Sequence, residues 1–272
     1  MRNLIILLSL LPLVGQAQVS VVTSIQPLYQ LTKTIMQGVG EPELLIKRRA
    51  SAHHFAFKPS HFRLLQNADL VIWIDRHFES GFQQVPQILR EGVVQVELLR
   101  TLGLQQQDGH IWYSPALLKR IAQEIQQALS QVDPQHSATY ARNTRELTEM
   151  LSSWRLESEA QIKTAKPRYL LDHDFLSHFE NDMGIEAIAV LHDAHDQPAG
   201  IRTLQRIEDR LTVQPAACLL TNEATASKLA RNLARKFNLK IYSIAEVEPV
   251  SEASSAIIQT LDRLRAALLN CR

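Results

Sequence analysis

The sequence is poor in glycine, with 9 in 272 residues, and poorer in cysteine, with two. Scarce glycine beside abundant leucine and alanine points to a chain dominated by helices. Two cysteines, Cys218 and Cys271, allow at most one disulfide. Excess charge of either sign is also missing: 29 lysines and arginines face 28 aspartates and glutamates. That balance excludes the basic field a nucleic-acid binder needs. Past the N-terminus no stretch reaches the ~18 apolar residues of a membrane helix. The chain has no GxSxG elbow, no HExxH and no GxxxxGK[ST] phosphate loop, so hydrolase and nucleotide chemistry lack motif support. It shows no short-period repeat and no low-complexity tract.

At the N-terminus, Arg2 precedes an apolar run from Leu4 to Val14, followed by Gly15 and Ala17 at the −3 and −1 positions of a cleavage site. Residues 1–17 are therefore expected to be a signal peptide, too short to span a bilayer. A protein exported in this way is expected in the periplasm. With Gln18 after the cut, no lipid anchor on a cysteine is expected there. Removal of residues 1–17 takes away Arg2 and leaves a neutral mature chain of about 255 residues, enough for one large or two medium domains. In an oxidising compartment the even cysteine count favours a Cys218–Cys271 bridge over two separate buried thiols. Closing a loop of just over 50 residues is worth roughly 4 kcal/mol in loop-entropy models.

Apolar patterning gives the architecture. VSVVT at Val19–Thr23, Glu43–Ile46, LVIWI after Asp69 and VVQV after Gly92 read as strands. LYQLTKTIMQG after Pro27, SHFRLLQNA after Pro59 and Phe78–Arg90 read as helices. Pro115 opens an amphipathic helix with Leu118, Ile121, Ile125, Leu129 and Val132 on one face. From about Gln135 to Lys166 the chain has neither glycine nor proline, which predicts one helix of some 30 residues, about 45 Å long. Beyond Pro167 the alternation resumes with RYLLD, FLSHFENDM, IEAIAV, a helix from Gly200, CLL, LARNLARKF, LKIYSI and a last helix from Ser251 to Leu269. The expected fold class is α/β: two similar lobes with mostly parallel sheets, joined by one long rigid helix. The expected division is 18–134 for the N-terminal metal-binding lobe, 135–166 for the connecting helix and 167–272 for the C-terminal lobe.

Three of the ten histidines sit in loops following strands. They are His53 in RRASAHHFAFKPS, His110 in DGHIWYSP and His173 in YLLDHDF. Ligands of open parallel sheets bind at the carboxyl ends of the strands. Neutral imidazoles there would suit zinc. Their contexts resemble the zinc-uptake binding proteins of ABC transporters, the ZnuA type of the cluster A-I metal-binding solute-binding proteins. The matching stretches are ASAHHFAFKPS, RLLQNADLVIW, HIWYSP, HDFLSHFENDMGI, PAGIRTLQRIEDRL and the Glu248-Pro249 dipeptide, spread in the family's order over nearly the whole mature chain.

The resemblance implies that His53, His110 and His173 are metal ligands. It makes Glu248, where the family usually has aspartate, the candidate fourth, with water as the alternative. It implies Zn2+ as the transported ligand and the membrane permease of a zinc ABC transporter as partner, for a monomeric, non-enzymatic carrier. Related manganese and iron binders carry a carboxylate where His173 stands, so an all-nitrogen trio favours zinc. A manganese or iron carrier, an adhesin-like relative and a three-histidine zinc enzyme are the alternatives. The histidine-rich collector loop of many members is missing before His110, where only LQQQDG stands. His192, Asp193, His195 and Asp196 are read as a solvated polar loop, with a second, looser metal site as the alternative. Asp174 is read as an imidazole-orienting carboxylate. His61, His77, His136 and His178 are read as surface or packing residues.

Overall fold

The computed structural model describes residues 18–47, 55–105, 107–193, 197–222, 224–244 and 253–272, with side chains from Ala256 onward in the last segment. The expected signal peptide, His53, His54, His195, Asp196 and Glu248 lie outside the described residues.

The first lobe contains β1 (Val21–Thr23), α1 (Gln26–Ile35), β2 (Glu43–Leu44), α2 (Pro59–Asn67), β3 (Leu70–Trp73), α3 (Val85–Ile88), β4 (Val94–Glu97), α4 (Leu98–Thr101) and α5 (Pro115–Val132). After α6 (Ser137–Ala165), the second contains β5 (Tyr169–Leu171), α7 (Ser177–Met183), β6 (Ala189–Val190), α8 (Ile201–Val213), β7 (Cys218–Thr221), α9 (Lys228–Phe237), β8 (Lys240–Ser243) and α10 (Ala253–Leu269). Among the described residues each lobe holds one four-stranded sheet. The orders are β2-β1-β3-β4 and β6-β5-β7-β8, and every pairing is parallel. Both lobes thus repeat one topology, as the alternating pattern predicts. β3 and β7, the inner strands LVIW and CLLT, are buried at every position, as strands of a helix-covered parallel sheet must be.

The long helix is present. α6 runs 29 residues and ends at Lys166, which takes a left-handed conformation at φ 48° just before Pro167. Its buried side is Tyr140, Thr144, Leu147, Leu151, Trp154, Ser158 and Ile162, a three- and four-residue rhythm that keeps one stripe against the core. α5 begins as its sequence dictates. Ser114 Oγ accepts from the backbone N–H of Leu117, and Pro115 fills the first turn. Among the described residues no helix is long and apolar enough to cross a membrane.

One hydrophobic core runs through both lobes, from Val22 and Ile72 to Leu171, Phe175 and Leu220. A second, smaller cluster beneath α8 and α9 joins Leu170 and Leu219 to Ile207, Leu211 and Leu233. α10 follows the second lobe in sequence but packs on α1 of the first and on α6. The disulfide joins Cys218, at the start of β7, to Cys271 just after α10.

Phe78–Arg90 is not one helix. A 3₁₀ turn at Ser80–Gln84 precedes the single turn of α3. Pro86 has no N–H to continue a ladder, and Gly81 sits where a Cβ would lie 2.7 Å from the Phe55 carbonyl oxygen. The strand read from IEAIAV shortens to Ala189–Val190 at the sheet's edge, paired only with β5.

Candidate metal centre

His110 and His173 come from different lobes and meet. Their ring centroids are 5.0 Å apart and the rings stand edge to face. His173 follows β5 and Asp172, at the carboxyl end of its strand. His110 precedes the 3₁₀ turn Ile111–Tyr113 that leads into α5. Both are buried, His110 to 2 % exposure and His173 to 9 %. Two members of the expected trio are thus brought together; His53 and the candidate Glu248 lie outside the described residues. Among the described residues no group of three or more His, Cys, Asp or Glu side chains could hold a metal ion.

The His110 ring is fixed on several sides. Phe78 packs against it at 5.0 Å edge to face, Trp112 at 5.1 Å and Phe175 at 6.5 Å. Gly109 is required by this packing, because a Cβ there would lie 2.2 Å from the Phe78 ring. His110 Nδ1 lies 2.7 Å from Asp108 Oδ1, which also accepts from the His110 backbone N–H at 3.1 Å. Burial works to raise the Asp108 pKa. The charge and hydrogen bonds of His110, with the charge of His178, outweigh it and hold the carboxyl below its usual range. An ionised Asp108 accepts a hydrogen bond from Nδ1–H and so leaves the imidazole lone pair on Nε2, free to meet a metal ion. Asp174, beside His173, is pushed the other way, by burial first and then by the charge of Asp108.

Asp108 also connects the lobes. Ser177 Oγ donates to its Oδ2 at 3.0 Å, and His178 Nε2 donates to its backbone oxygen at 2.7 Å. Both donors belong to α7. Further along α7, Asp182 Oδ2 accepts from Ser114 Oγ at 3.0 Å and the Ala116 N–H at 2.9 Å, at the start of α5. Arg155 of α6 donates to Asp182 Oδ1 at 2.5 Å. One short helix of the second lobe therefore grips the His110 loop, the head of α5 and the long helix.

Two expectations change here. His178 is not a surface or packing residue but part of the Asp108 network. Asp108, two residues before His110, is the carboxylate that orients an imidazole; the signal was its spacing. Asp174 instead donates its backbone N–H to the His192 carbonyl at 3.0 Å. His192 turns its Nδ1 to the Asp172 carbonyl at 2.7 Å, and Asp193 Oδ1 accepts from the Gln197 N–H at 2.9 Å. His61 accepts from the Lys58 N–H at 3.0 Å and His136 lies 2.7 Å from Asp133, both local contacts.

Two lobes of one topology, braced by a long helix and contributing one buried imidazole each to their seam, define a two-lobed solute-binding protein. The sequence profile of the family described as "Zinc-uptake complex component A periplasmic" (ZnuA) matches residues 21–270, and the chain belongs to that family. The High-affinity zinc uptake system protein ZnuA of Brucella abortus (strain 2308) is 24 % identical over 264 residues, covering 78 % of this chain and 79 % of its own length. Among solved structures, the laminin binding protein (Lmb) of Streptococcus agalactiae, described as having adhesin and metal transporting activity, superimposes with a TM-score of 0.81 at 19 % identity. It covers 92 % of this chain and 99 % of its own. A Mn-bound periplasmic metal binding protein from Candidatus Liberibacter asiaticus does so with a TM-score of 0.75 at 16 % identity and the same coverage. The chain is therefore a metal-binding solute-binding protein of this α/β fold.

Proposed function

We propose that this protein captures a zinc ion in the periplasm between lobes 18–134 and 167–272, braced by the 135–166 helix, and hands it to the membrane permease of an ABC zinc transporter. His53, His110 and His173 are the ligands, with Glu248 or a water in the fourth place. The observation that carries this reading is the buried His110–His173 pair at the seam, one ring from each lobe. Three neutral imidazoles and a carboxylate or water complete a tetrahedral zinc and leave little open Lewis acidity, so the role is carriage and not catalysis. His53 and His110 belong to one lobe, His173 and Glu248 to the other. A small shift between lobes breaks the set, which gives a docked permease a means of release.

Calorimetric titration of the metal-free protein tests this. Zinc should bind at one tight site, and His110→Ala should weaken it strongly. Wild-type affinity in that variant would discard the trio. A second reading is a manganese or iron carrier or an adhesin; the names of solved structures that share the fold mention bound manganese and adhesin activity. Competition settles it: manganese displacing zinc at equal concentration would overturn zinc as the cargo, since imidazole nitrogen prefers the softer ion.

A further inference from the structure

Behind His110, on the side of Trp112, a cavity of ≈ 20 Å³ open to the centre of a water molecule lies in the seam. Gln26 and Gln30 of α1 and Trp112 line it from the first lobe; Ala256, Ile257 and Thr260 of α10 line it from the second. Among the described residues, two buried N–H donors of its lining residues have no acceptor: Gln30 Nε2 and Trp112 Nε1. The residues are 5 % and 7 % exposed. Leaving a donor buried and unpaired costs about 1–3 kcal/mol, so two in one small cavity call for a shared acceptor. The indole N–H can only donate, and a second protein N–H cannot satisfy it. The volume decides the ligand. The ≈ 20 Å³ open to the centres of water molecules admits water and little that is larger.

We propose that this cavity is a water-binding site in which an ordered water accepts from Gln30 Nε2 and Trp112 Nε1 and thereby positions the Trp112 ring against His110. Gln26 and Thr260 line the same space and supply side-chain oxygens for the water's own protons. A water held in this way has the two to four partners that buried waters make. Because α1 and α10 wall it from opposite lobes, the water is shared across the seam. The positioning role rests on the proposed metal centre; the water does not.

The two parts are tested separately. In the metal-free protein, the indole proton of Trp112, assigned by its disappearance in Trp112→Phe, should show a magnetisation-transfer peak to a long-lived water. A high-resolution crystal structure should place one oxygen within hydrogen-bond reach of both donors. Gln30→Met, similar in volume but without donors, should abolish that peak. If Gln30→Met does not fold, Trp112→Phe reads the same water through the density beside Gln30. A dry cavity, or an indole N–H paired with a protein oxygen, overturns the proposal. In the zinc-loaded protein, Gln30→Met leaves the Trp112 ring in place but removes its water, and should release zinc several-fold faster. Unchanged release overturns the positioning role while the water stands.

Discussion

The two lobes share a strand order but are stabilised differently. In the first, both faces of the sheet run into one core: neighbouring residues of β3, Val71 and Ile72, point to opposite faces and join the same cluster. In the second, the faces separate. Leu171 and Leu220 enter the shared core, while Leu170 and Leu219 belong to the outer cluster under α8 and α9. The second lobe adds a covalent staple at β7. The first relies on a buried polar strut, Glu79, which has no solvent exposure and whose Oε2 accepts from the Ile74 N–H at 2.7 Å at the end of β3. The same topology can thus be closed by a crosslink or by a buried carboxyl, and the two respond to different stresses.

Breaking the staple should have the largest effect. Cys218→Ser or Cys271→Ser is expected to cost about 2–5 kcal/mol in denaturant unfolding. Hydrogen exchange should speed first in β7, β8 and α10 and leave β1 and β3 protected. Equal loss in both lobes would end the distinction drawn here.

Glu79 gives the next effect, through pH. Burial, partly offset by the hydrogen bond from the Ile74 backbone N–H, raises its pKa from 4.5 to about 8. Between those values the folded protein keeps a proton that the unfolded chain has lost. The contribution is therefore fully present below about 4.5 and disappears as pH rises to about 8. Its size is a few kcal/mol at one pKa unit per 1.36 kcal/mol. Glu79→Gln should flatten the stability profile across that window; an equally sloping profile in the variant would remove Glu79 as the cause.

Asp108→Asn should change stability least and the metal centre most. The amide no longer compels the Nδ1 proton, and metal affinity should fall 10–100-fold with little change in melting temperature. Affinity equal to wild type would show that the aromatic rings alone orient His110.

Much of this was legible in the sequence because local patterns agreed with the fold. LVIW and CLLT are apolar throughout because both faces of their sheets are covered. The absence of glycine and proline between 135 and 166 left α6 nowhere to break. The Cys218–Cys271 pairing followed from count and compartment. The failures were non-local. The chain from Phe78 to Arg90 carries helical periodicity, but Gly81 is placed by Phe55 and Phe57, over twenty residues upstream. At the site, the family contexts selected His110 and His173, and these do meet. The roles of Asp108 and His178 stayed hidden because they arise between residues 70 apart, on elements that adjoin only once the lobes pack.

The last helix has a consequence for how the molecule assembles. Leu28, Leu31 and Ile35 of α1 and Ile257, Leu261, Leu264 and Leu268 of α10 lie in one core, though more than two hundred residues separate them. A chain that emerges from its N-terminus cannot finish that core until α10 arrives. The first lobe therefore waits, with an oily flank uncovered, for a helix more than two hundred residues downstream, and loss of α10 strands the beginning of the molecule.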